Sequence, residues 1–197
     1  MEAEFGKDIA QAFRDGIVAY WRRERPTIRS EGAPENSTPM SAILGLAGLE
    51  IEAQETPNWV QSLSEADIEL ACRYASFELN GFPTWFPKLF EAHTSTVTDF
   101  LLQEIRFELS KVTPEKEDHY VLSDVSWSGE WSWATLGPHI ANLLKESEPA
   151  NAATLDKLLK ILQGSALSDE EIAALASQKV QSVYTLSLIH ISDGARE

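Results

Sequence analysis

The hydrophobic positions along most of this chain recur every three or four residues, which is the spacing of an amphipathic helix. In residues 3–23, Phe5, Ile9, Phe13, Ile17 and Trp21 form one stripe. Residues 64–80 carry two stripes, which predicts a helix that is buried on two sides. Residues 119–129 are also compatible with a strand, and we interpret them as helix from their context. The pattern predicts about eight helices and no strand.

Local signals place several helix ends and one close contact. Ser64 with Asp67, and Ser168 with Glu171, have the spacing of a capping box at a helix start. Gly81 follows Asn80 and is predicted to adopt the left-handed conformation that ends a helix. Gly45 and Gly48 lie three apart in the second helix, where they would allow a neighbouring helix to approach closely.

The fold class predicted from this pattern is all-α. Short connections make successive helices antiparallel neighbours, so stacked helical hairpins are the natural packing. That arrangement is an irregular α-solenoid, although no fixed-period repeat is present. A compact helical bundle is the alternative. We expect one helical domain over residues 1–185.

The segment 186–192, LSLIHIS, differs from the rest, because its apolar and polar residues nearly alternate. It resembles the translated mosaic end that transposases recognise in sequencing libraries. This resemblance implies that residues 186–197 are a non-native tail and that the natural chain continues beyond Thr185. A short edge strand is the other interpretation.

Composition narrows the function classes. The 197 residues carry a net charge of −15, which disfavours binding of nucleic acid or of anionic membranes by the bulk surface. Cys72 is the single cysteine, so neither an intramolecular disulfide nor a cysteine metal cluster can form. With no signal-peptide pattern at the N-terminus, we expect a cytoplasmic protein.

Two clusters are candidates for partner binding. The first, the arginine cluster, is concentrated in residues 20–29 of an acidic chain and could bind a phosphate or an acidic partner; it comprises Arg22, Arg23, Arg25 and Arg29. Cations that compensate a helix C-terminus are the structural alternative.

The second cluster, the tryptophan ridge, comprises Trp127, Trp131 and Trp133. Three tryptophans so close together cannot all face one core, so we expect part of the ridge to be exposed.

Catalytic chemistry has weaker support. His93, His119 and His139 lack metal-ligand spacing, and Cys72 lies on an apolar helix stripe, where core packing is the better interpretation. Nucleotide-binding and hydrolase motifs such as GxxxxGK[ST], GxGxxG and GxSxG are absent. We therefore expect no enzyme, cofactor or metal. The alternative is a small all-α enzyme whose inter-helical pocket uses His119 or His139 beside acidic residues.

Residues 73–109, and above all ELNGFPTWF followed by VTDFLLQEI, resemble a segment in the long helical regions of large bacterial NTPase-linked proteins. Some of those proteins belong to defence or conflict systems. The resemblance implies a helical-repeat region that recognises a protein partner or another part of the same chain, with catalysis in other domains. A purely structural spacer is a third possibility.

Overall fold

The computed structural model describes residues 6–117 and 119–194, with side chains up to residue 181, and their regular structure is helical. The all-α prediction is confirmed, since the chain is 69% helical and has no strand in its described part. The described residues form ten α-helices: α1 Lys7–Tyr20, α2 Met40–Glu55, α3 Trp59–Ser62, α4 Glu65–Ala75, α5 Phe86–Ala92, α6 Thr94–Leu109, α7 Val121–Ser128, α8 Glu130–Glu146, α9 Ala152–Gln163 and α10 Asp169–Gly194.

Helix starts agree with the sequence better than helix ends do. The Ser64–Asp67 capping box is present, and Ser168 exchanges the same hydrogen bonds with Glu171. α4 ends at Ala75 rather than at residue 80. Ser76 donates its hydroxyl proton to the Arg73 carbonyl, and the next amides bond three residues back, which tightens the last turn. Gly81 has the predicted positive φ, 92°.

Residues 1–100 form one compact unit around α2. A Cβ on Gly48 would overlap the Ile17 carbonyl oxygen of α1, and one on Gly45 would overlap the ring of Tyr74 in α4. The predicted close helix approach is therefore confirmed at both glycines. The N-terminal half of α1 was expected to be core, but Ile9 and Phe13 are 59% and 47% exposed, because its contacts with α2 begin further along the helix.

Residues 101–197 form a second compact unit around α9. This helix contacts α7, α8 and α10, and α8 also contacts α10, so alternate helices meet as they do in stacked hairpins. Close approaches recur here: the Gly137 backbone lies against Ser165, and that of Gly164 lies against the Trp133 ring. The sequence predicts a single domain over residues 1–185, whereas the division into units falls inside α6.

The segment 186–192 does not form a strand. The backbone of α10 stays helical from Asp169 to Gly194, so the edge-strand interpretation is wrong. Val180, the last large apolar side chain of α10 among the described residues, is 39% exposed. No helix in the described part of the chain is long and apolar enough to cross a membrane.

Candidate functional site

Arg22 of the arginine cluster is held by acidic side chains from two other helices. Its guanidinium donates to both oxygens of Glu52 at 2.6 and 2.7 Å and to Asp67 at 3.1 Å. The Trp21 indole donates to Glu52 as well, at 2.7 Å, and the Arg22 guanidinium lies 4.0 Å from the Trp21 ring centroid. Arg22 therefore joins the end of α1 to α2 and α4.

The Glu52 carboxylate is the centre of this network. Burial raises its pKa, but the hydrogen bonds from Arg22 and Trp21 outweigh burial, so that the pKa lies below the ordinary range. The same hydrogen bond raises the pKa of Arg22. Both groups stay charged at neutral pH, and the pair stabilises residues 1–100.

Two more members of the arginine cluster have acidic neighbours. Arg25 donates to Glu31 at 2.8 Å, and Arg29 lies 4.0 Å from Glu35. Glu31 also binds Arg73, a side chain only 7% exposed that additionally donates to the Pro26 carbonyl at 3.0 Å. The sequence analysis missed Arg73, because its position in a helix stripe does not reveal a partner 42 residues away.

Arg23 differs from the other members of the arginine cluster. It is exposed, and no described residue forms an ion pair with it. Arg23 is thus the member whose charge is available to an external anion. The guanidinium groups of the other three members meet carboxylates within residues 1–100, and none of them lies in the last turn of α1.

The three side chains of the tryptophan ridge differ in how much of their surface is exposed. Trp133 is 9% exposed and donates its indole N–H to the Val125 carbonyl at 2.7 Å. Trp131 is half-buried and donates to the Ser128 carbonyl at 3.1 Å. Trp127, on the outer side of α7, is 64% exposed. Part of the tryptophan ridge was expected to be exposed, and Trp127 is the side chain that fulfils this expectation.

A cleft of about 780 Å³ lies between α2, α3 and α5, and we call it the α2 cleft. Its charged lining residues are Glu50, Glu91 and Lys88, and half of the remaining lining residues carry amide or hydroxyl side chains. The Glu50 carboxylate accepts hydrogen bonds from Thr84 at 3.1 Å and from Gln54. The volume is in the range of pockets that bind small molecules or single side chains.

Trp59 and Trp85 also line the α2 cleft, with their rings in a T-shaped pair 5.5 Å apart. Each is 4% exposed, and neither indole N–H has an acceptor in hydrogen-bonding geometry. The Trp59 N–H is nevertheless close enough to Glu52 to contribute to that lowered pKa, after the larger effects of burial, Arg22 and Trp21. The sequence alone does not predict that these two tryptophans meet, because residues of three separate helices form the cleft.

The histidines do not converge on a pocket. His119 Nε2 lies 2.8 Å from the Thr154 hydroxyl, His93 Nε2 lies 2.7 Å from the Val60 carbonyl, and His139 is exposed. None of them lines the α2 cleft. Among the described residues, no group of His, Cys, Asp or Glu side chains has metal-binding geometry.

Cys72 and Tyr74 are buried in α4, as their apolar stripes predict. Burial raises the pKa of the Cys72 thiol, and the nearby Glu69 charge raises it further. Burial likewise raises the pKa of Tyr74 to about 12, and its hydroxyl donates to the Glu24 carbonyl at 2.9 Å. Neither group is prepared to act as a nucleophile or base at neutral pH.

No family model, curated protein or solved structure matches this chain.

Proposed function

We propose that this chain is a non-catalytic helical scaffold that recognises a protein partner, or another region of a longer bacterial protein, in the cytoplasm. The exposed Trp127 side chain carries the proposal. An aromatic side chain that is 64% exposed leaves a large apolar area in water, and tryptophan is the residue type most enriched at interface hot spots.

The surroundings of Trp127 support this role. Trp131 and Trp133 follow it in the sequence and are each anchored by an indole hydrogen bond to a backbone carbonyl. The backbone that presents Trp127 is thereby held in place before a partner arrives, which lowers the entropic cost of binding. The resemblance of residues 73–109 to helical regions of large NTPase-linked proteins agrees with a recognition role.

The small-enzyme alternative has less support. An active site requires a concave pocket with convergent titratable groups. The α2 cleft is concave, but His119 and His139 do not line it. His139 forms no ion pair with an acid among the described residues, and His119 Nε2 lies against the Thr154 hydroxyl rather than in the cleft.

The test is affinity capture from the cytosol of the source cell with three forms of the chain: wild type, Trp127→Ser and Leu79→Ser. Leu79 is a matched control, because it is 77% exposed and lies in the other compact unit. We expect at least one protein to be captured by wild type and by Leu79→Ser but lost with Trp127→Ser. With that protein purified, Kd should rise at least tenfold for Trp127→Ser.

An Arg23→Glu variant tests the arginine cluster without breaking an internal ion pair. Loss of capture with this variant would assign Arg23 to the same interface. If no captured protein depends on Trp127, the proposed recognition role of the ridge is wrong.

A further inference from the structure

α2 has a second, outward-facing surface that its role in the core does not use. Its inner face is buried through Ala42, Gly45, Gly48 and Leu49. On the other side, apolar residues spaced three and four apart are exposed: Met40 at 67%, Ile43 at 47%, and Ala47. We call the row formed by Met40, Ile43, Ala47, Glu50 and Gln54 the outer stripe.

The outer stripe leads directly into the α2 cleft. Glu50 and Gln54 continue the same three-and-four spacing and are themselves lining residues of the cleft. The stripe covers 14 residue steps, so it is about 21 Å long. One surface of α2 therefore has an apolar half at its N-terminal end and an acidic, polar half at its C-terminal end.

The charge on α2 is unusual for its position. The helix contains Glu50, Glu52 and Glu55 but no lysine or arginine, and the macrodipole disfavours negative charge near a helix C-terminus. Glu52 pairs with Arg22, and Glu55 pairs with Arg14. Glu50 has no ion pair with any described residue, and only the neutral Thr84 and Gln54 donate to it. Glu50 is therefore the carboxylate of α2 that can pair with a cation brought by a partner.

The Trp85 side chain contributes a second polar group near the cleft. Trp85 lines the cleft, and only 4% of it is exposed. Its indole N–H has no acceptor. A buried donor without an acceptor carries a desolvation cost. An occupant with a cationic side chain would pair with Glu50 beside the buried Trp85 ring.

We propose that the outer stripe and the α2 cleft bind a basic amphipathic helix of a partner protein. Its apolar face packs on Met40, Ile43 and Ala47, and a lysine or arginine side chain enters the cleft and pairs with Glu50. Glu91 adds negative charge to the rim, so that the lining carries a net −1 when Lys88 is counted. The proposal rests on the proposed function only in taking the ligand to be a protein.

A second copy of this chain is the less suitable occupant. Each copy carries a net charge of −15, and two such surfaces repel each other. A basic helix is attracted by the same charge, and an amphipathic helix can lay its apolar face on an apolar surface of this kind.

The experiment uses a fluorescent 14-residue peptide of leucine and lysine, with leucines at helical spacing. A peptide of the same composition without that spacing, and one with glutamate in place of lysine, are the controls. Binding is measured by fluorescence anisotropy with wild type, Glu50→Gln and Glu69→Gln. Glu69 is the matched control, because it is exposed in the same compact unit and lies outside the cleft lining.

We expect the amphipathic peptide to bind at least tenfold more tightly than either control peptide. Glu50→Gln should weaken its binding at least tenfold, and Glu69→Gln less than twofold. Ile43→Ser tests the apolar half of the stripe and should weaken binding to a similar degree as Glu50→Gln. Circular dichroism of each variant verifies that it is folded.

Indole N–H signals in a nitrogen-15 spectrum locate the bound peptide. Those of Trp59 and Trp85 should shift on titration, whereas that of Trp127 should not. Equal losses for Glu50→Gln and Glu69→Gln, no binding by wild type, or unshifted Trp59 and Trp85 signals would each overturn the proposal. Because Trp127 is not involved, these results are independent of the capture experiment, and either proposal can fail alone.

Discussion

Two glycines within helices have opposite surroundings, and they make the energetics of residues 1–100 testable at single positions. A Cβ on Gly48 would overlap the backbone of Ile17, whereas a Cβ on Gly16 would meet no atom within 4 Å. We expect Gly48→Ala to lower the free energy of unfolding by about 2–3 kcal/mol, because a backbone cannot move aside as a side chain can. Gly16→Ala should raise it by about 0.5–1 kcal/mol through helix propensity. Urea denaturation measures both, and a Gly48→Ala protein as stable as wild type would contradict the packing described for α1 and α2.

Residues differ in how far the sequence predicts their surroundings. The spacing of Gly45 and Gly48 was sufficient to predict a close contact. Two glycines on one face of a helix remove the side chains that would keep a neighbouring element at a distance. The partners of Arg22 could not be predicted, because Glu52 and Asp67 lie 30 and 45 residues away and are brought near only by folding. The exposure of Trp127 was predicted for the ridge as a whole and not for this residue.

At the scale of elements, Glu108 near the end of α6 acts as a cap for α7. Its carboxylate is fully buried and accepts the backbone N–H groups of Tyr120, Val121 and Leu122 at 2.9, 2.8 and 2.9 Å. These are amides that a helix start leaves without intrahelical partners.

We expect Glu108→Ala to destabilise the protein by about 3 kcal/mol, because the variant leaves buried amides without an acceptor. Hydrogen exchange of those amides should speed up at least tenfold, while amides in the centre of α2 keep their protection. Glu115→Ala is the control, since this exposed glutamate precedes the same helix. Unchanged exchange at residues 120–122 would show that the cap does not stabilise α7.

Elements were predictable where local chemistry determines them. Both capping boxes were predicted, because a hydroxyl and a carboxylate three residues apart need no distant partner. The four-residue helix α3 was not predicted, since one turn is too short to show periodicity. The strand alternative for residues 186–192 failed, because near-alternation over seven residues did not outweigh continuation of the preceding helix.

At the scale of the whole molecule, the sequence predicted the fold class but neither the α2 cleft nor the two compact units. The cleft depends on how α2, α3 and α5 pack, and its lining residues are spread from Glu50 to Ala92 in the chain. The unit boundary falls within the continuous helix α6, so no linker composition marks it. Net charge, by contrast, follows from composition alone and supports a prediction for the entire chain.

The chain carries a net charge of −15 at pH 7, so its acidic side chains repel one another in the folded state. Salt screens this repulsion, with a screening length of about 10 Å at 0.1 M. We therefore expect Tm at pH 7 to rise by several degrees between about 10 and 300 mM NaCl. Near pH 4.6, the sequence pI, the net charge vanishes, and the same salt increase should leave Tm nearly unchanged. Scanning calorimetry at both pH values makes this comparison within one protein. A fall in Tm with salt at pH 7 would mean that attractive pairs such as Arg22–Glu52 outweigh the repulsion, and that the acidic surface costs the fold little.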